Sequence, residues 1–138
     1  MIPQFPQSLA DLATKVTTEF AAQADSTYTA ANLGMTGVLL QAAAQEAERH
    51  IDTHLRDINE LTHLFASLNP KPFDEIQIFL ESKLKSYTNT DVSQLHAHAL
   101  KVLIQLHEWS ESHHPELDAK IWAFLEVHVE RHKLEVMP

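Results

Sequence analysis

Residues 27–68 read TYTAANLGMTGVLLQAAAQEAERHIDTHLRDINELTHLFASL, and their spacing decides the fold. Apolar positions recur at Leu33, Val38, Ala42, Ala47, Ile51, Leu55, Ile58, Leu61/Thr62, Phe65 and Leu68. Steps of mostly three or four residues keep such a stripe on one side of a 3.6-residue helix. Gly34 and Gly37 interrupt a run of good helix formers, at about 1 kcal/mol each against alanine. Two such costs in one turn point to close helix–helix approach or to a kink. The stretch predicts one long central helix, stopped by Asn69-Pro70-Lys71-Pro72.

The flanks carry the same period. Ser8 followed by Asp11 reads as a capping pair opening a first helix along Leu9, Leu12, Val16, Phe20 and Ala24, with a break at Asp25-Ser26-Thr27. Pro72 is placed as a first helical residue, with Asp74 and Glu75 in the positive first turn and Phe73, Ile76, Leu80 and Leu84 as the apolar face. Thr88-Asn89-Thr90-Asp91 reads as a break before a helix along Val92, Leu95, Ala99, Val102, Leu106 and Trp109. His113-His114-Pro115 ends that helix, and a last one carries Leu117, Ile121, Phe124, Leu125 and Val129. The expectation is all-α: one helical domain over residues 1–138, a bundle of four to five helices around the long central one.

Composition removes several function classes. The chain has 138 residues, no cysteine, two glycines, ten histidines and a formal charge of −9. Without cysteine there are no disulfides, thiolate metal sites or cysteine nucleophiles. Three arginines (Arg49, Arg56, Arg131) form no basic cluster, which argues against nucleic acid as a partner. No run approaches the ~20 apolar residues of a membrane span. With no signal-peptide pattern at the start, the expected setting is cytoplasmic.

The histidines, all between His50 and His132, carry the site hypotheses. His50/His54 and His128/His132 are i, i+4 pairs, so each puts two imidazoles on one helical face. If the second and last helices meet, the four could hold a transition metal of the zinc, nickel, copper or iron type. His107-Glu108-Trp109-Ser110-Glu111 with His128-Val129-Glu130-Arg131-His132 resembles the ligand order of hemerythrin-like bundles. His50 with His128 and His132 resembles the three-histidine bundles of the DNA-damage-inducible type. Both resemblances imply metal-binding helices. Glu60-Leu61-Thr62-His63 and Glu111-Ser112-His113-His114 have the letters of ferritin-like sites, but Glu60 and His63 fall outside the apolar stripe. His98-Ala99-Leu100-Lys101 resembles the histidine phosphotransfer domains, which implies a phosphoryl relay through His98; Val102 stands where that family keeps glycine.

Three functions follow as expectations. The first is a non-catalytic binding or self-association module, a homodimer or a docking site for a partner helix, with Gly34, Gly37 and Trp122 at the interface. The second is a metal-binding bundle using His50, His54, His128 and His132. The third is the phosphoryl relay.

Overall fold

The computed structural model describes Ile2 and residues 4–135. Among these residues there are five α-helices and no strand: α1 (Phe5–Lys15), α2 (Thr27–Ala66), α3 (Asp74–Glu81), α4 (Asn89–His113) and α5 (Pro115–His132). The class is all-α, and α2, at 40 residues, is the long central helix. No described helix is long and apolar enough to cross a membrane.

Local chemistry sets the ends, and it moves several of them from their expected places. α1 starts at Phe5 rather than Ser8, because Pro6 fits the first turn, where its missing N–H is no loss. Ser8 lies inside the helix, its hydroxyl donating to the Gln4 carbonyl at 3.0 Å. Beyond Lys15 the coil widens to a π-turn at Val16–Phe20 and tightens to 3₁₀ at Ala21–Gln23. Ser26 then opens α2, its hydroxyl accepting the Thr29 N–H at 3.1 Å. α2 stays helical through Gly34 and Gly37.

Pro72 precedes α3 instead of starting it; Phe73 is the cap, Asp74 and Glu75 fill the first turn, and Leu84 lies past the helix end. The polar cluster at 88–91 is the beginning of α4, since the Thr88 hydroxyl accepts the Asp91 N–H at 3.3 Å. His114 caps α5 through its ring, Nδ1 accepting the Leu117 N–H at 3.1 Å, with Pro115 in the first turn.

Contacts group the chain into two compact units, residues 1–50 with 134–138, and residues 51–133. In the first unit α1 lies against the early part of α2. Ala13, Val16 and Ala44 are buried there, and Gln45 exchanges two hydrogen bonds with the Glu135 backbone at 2.6 and 2.8 Å. The second unit has a core drawn from four helices: Leu61 and Phe65, Ile76 and Phe79, Ala99, Val102, Leu103 and Leu106, and Leu117, Ile121 and Phe124. Phe65 and Phe79 meet edge to face with centroids 5.4 Å apart, the geometry their ring quadrupoles favour. α4 and α5, joined at His114, run antiparallel, so the end of α5 returns beside the start of α4.

The two glycines differ in kind. A Cβ on Gly37 would sit 2.1 Å from Thr17 Cγ2 and 3.2 Å from the Ala13 carbonyl, whereas one on Gly34 would meet nothing within 4 Å. Gly34→Ala is expected to raise stability by up to about 1 kcal/mol through helix propensity. Gly37→Ala is expected to lower it by about 1–3 kcal/mol through overpacking. Adding Thr17→Ser, which deletes the obstructing methyl, restores most of that loss. Urea unfolding followed by circular dichroism measures all three.

Candidate metal centre

Three helices of the second unit converge on one carboxylate. Asp57 lies on α2 at the i−4 and i−8 positions of Leu61 and Phe65, so it continues the inward stripe and has 0 % of its surface exposed. His96, buried on α4, lies between Val92 and Ala99 on the inward face. His128 follows Phe124 on α5 by one turn, and His132 follows His128 by another. The apolar core of the second unit thus ends in a layer of polar side chains on the same helical faces.

The geometry is compact. Asp57 Oδ2 faces His96 Nε2 at 2.8 Å, His128 Nδ1 at 2.7 Å and His132 Nε2 at 2.6 Å. These four donor atoms all lie within 4.8 Å of one another. The other carboxylate oxygen, Oδ1, accepts from the Arg131 guanidinium, whose second nitrogen bonds Glu60. Burial by itself pushes the Asp57 carboxyl up. Its hydrogen bonds to His96, His132, His128 and Arg131 outweigh that and hold it well below the usual carboxylate range. Arg131 is held above its ordinary value, since Glu60 and Asp57 together outweigh the cost of burying its charge.

Of the four histidines singled out by spacing, His128 and His132 enter this cluster. His54 lies beside it, its ring 4.1 Å from His96 and 5.1 Å from His132. His50 belongs to the first unit and bonds Glu46 through Nδ1 at 2.9 Å. His98 is half-buried with its ring edge-on to Phe79 at 5.3 Å. Gly37 packs on α1, Gly34 is open, and Trp122 is a half-exposed ring set edge-on to His107 at 5.2 Å.

Asp57, His96 and the role of Arg131 escape a search for paired histidines. Asp57 and His96 have no i, i+4 ligand partner on their own helices. The available signal was burial rather than spacing. Each sits one turn from residues of an inward stripe, Asp57 before Leu61 and His96 after Val92, where an apolar side chain is the ordinary occupant.

Asp57→Ala removes the buried carboxylate that His96, His128, His132 and Arg131 share, and breaking a buried charged pair costs about 3–5 kcal/mol. A fall of that size in the unfolding free energy of chelator-treated protein is expected. A change under about 0.5 kcal/mol, the range of ordinary surface substitutions, contradicts the buried geometry.

No protein-family model matches the chain, and no curated protein or solved structure matches it.

Proposed function

We propose that the protein is a metal-binding helical protein. In this reading its second unit holds one transition-metal dication through Asp57 Oδ2, His96 Nε2, His128 Nδ1 and His132 Nε2. The observation that supports this best is three ring nitrogens crowded within 2.6–2.8 Å of one buried oxygen. A carboxylate oxygen offers about two lone-pair directions, so three N–H donors oversupply it. A cation among the four atoms satisfies all of them at once, because each neutral imidazole then presents a lone pair instead of a proton.

Three imidazoles and one carboxylate suit zinc, iron(II) or nickel rather than magnesium or calcium, which favour all-oxygen shells. In a tetrahedral site with ligands near 2.1 Å, donor atoms stand roughly 3.4 Å apart. The carboxylate oxygen therefore has to open from the nitrogens by about 0.7 Å on loading. For zinc, four protein ligands complete a tetrahedron and leave no position for substrate, which supports a binding or structural role over a hydrolytic one. Glu60 neutralises Arg131, which keeps the guanidinium from repelling the ion. Self-association, the other expected activity, is a separate reading: its expected residues are Gly34 and Gly37 of the first unit and Trp122 of the second, and none of these is among the four ligands.

Untagged protein stripped with chelator and titrated with Zn2+ or Co2+ is expected to bind one equivalent. Bound Co2+ should have the intense visible bands of a tetrahedral ion. At a free metal concentration 100 times the Kd, stability should rise by about 2.7 kcal/mol. His96→Ala is expected to weaken binding at least about 100-fold, while His63→Ala, whose ring bonds the Asn59 backbone at 2.8 Å on the exposed face, leaves it unchanged. Uptake below about 0.1 equivalent with an unchanged melting temperature overturns the reading and leaves the cluster as a hydrogen-bonded polar layer.

A further inference from the structure

The first half of α2 is built unlike the rest of the chain. Residues 26–45 include no charged side chain, in a protein of formal charge −9. Helix faces in water are ordinarily covered by Lys, Arg, Asp and Glu, and a helix without them is normally buried or partnered. Here one side is buried: Gly37 and Ala44 face inward, Gly37 directly against α1. The opposite side is not. Tyr28, Met35 and Leu39, spaced by seven and four residues, form a stripe roughly half a turn of the helical wheel from Gly37. They are 77 %, 66 % and 68 % exposed, and the flanking Val38 is 38 % exposed.

We propose that this stripe is the contact face of a homodimer, packed on the same stripe of a second copy about a two-fold axis. Size is the first reason. Residues of this kind expose roughly 150–200 Å² when fully open, so the four present on the order of 450 Å² of mostly apolar surface. A standard interface buries about 800 Å² per partner, and in homodimers about 65 % of it is apolar, which is close to the same area. A patch of this size also sits within the range that marks interaction sites on single chains.

Charge is the second reason. Two copies of an acidic chain repel each other, and the repulsion is least where neither presents a charge. The uncharged half of α2 supplies such a surface, and its seven- and four-residue spacing is the one by which paired helices interlock. Gly37 does not take part, because its open side is already filled by α1.

Sedimentation of the full chain at about 50 µM should give about 31 kDa, twice the 15.6 kDa of one chain. Met35→Glu with Leu39→Glu should give a monomer with unchanged helicity and unchanged metal uptake. The absence of native cysteine makes a charge-free check available. Met35 lies near the middle of the stripe, so in a two-fold pair it faces its own copy whether the helices run parallel or antiparallel. Met35→Cys should therefore cross-link to itself under mild oxidation, and Ile104→Cys, exposed on α4, should not. A monomeric wild type, a glutamate double variant that still dimerises, or equal cross-linking at both cysteine positions overturns the proposal. So does monomeric protein that floats with phosphatidylcholine–phosphatidylglycerol vesicles, which would assign the stripe to a lipid surface.

Discussion

A carboxylate with no solvent exposure, Asp57, sets the terms for the second unit. Removing an ionised carboxyl from water costs several kcal/mol unless charge and hydrogen bonds replace the lost hydration. That requirement draws partners from elsewhere in the chain: His96 from α4, and His128, Arg131 and His132 from α5. Each partner sits on the same face as apolar core residues, so satisfying Asp57 and packing Leu61, Leu106 and Phe124 demand the same rotation of each helix about its axis. The polar layer therefore fixes helix register as well as charge. A one-residue shift of α5 turns His128 by about 100° and leaves the carboxylate short of a donor.

The helices were legible in the sequence because they rest on local rules. The 3.6-residue period, the prolines at 70, 72 and 115, and the polar clusters at 25–27 and 88–91 mark every helix, and the errors lie at the ends. At those ends neighbouring residues compete as caps, and helix boundaries shift by a residue or two with little cost. Ser8 looked like a cap, but Pro6 could start the turn earlier, and Pro72 yielded to an extended Phe73. The centre was only half legible. Paired histidines advertise themselves by spacing on one helix, so His128 and His132 stood out. Asp57 and His96 are brought together across 39 residues, and no ligand spacing on either helix announces the pairing. The α2 stripe as read from sequence ran through Ile51, Leu55, Ile58, Leu61/Thr62 and Phe65; Leu61 and Phe65 are fully buried, but ahead of them the buried positions are Thr53 and Asp57 rather than Ile51, Leu55 and Ile58. A polar residue at an inward position carries no apolar signal, so Asp57 does not register in the hydrophobic period that places its neighbours.

The ionic composition of the cluster bears on what it can hold. Asp57 and Glu60 carry two negative charges against one on Arg131. With neutral imidazoles these charges sum to −1, and the dication of the proposed reading would bring the sum to +1. Neither state strands a large charge in a poorly hydrated place. Arg131 also holds Oδ1, which leaves Oδ2 turned toward the imidazoles, so an ion bound as proposed would meet a single carboxylate oxygen. Such outer contacts orient a ligand before the ion arrives and lower the cost of ordering it.

A chain without cysteine has no covalent cross-link available, and this second unit, residues 51–133, is near the size at which a single core becomes marginal. The candidate ligands sit on three helices, and Asp57 is separated from His96 by 39 residues and from His132 by 75. Fixing both separations at once restricts the unfolded chain much as a pair of long-loop disulfides does, with loop-closure entropy growing as the logarithm of each separation. An ion bound as proposed would contribute more here than one held by ligands on a single helix, because an i, i+4 pair closes a loop the helix has already closed. That difference lies with Asp57 and His96, which tie α2 and α4 to the adjacent pair His128/His132 on α5.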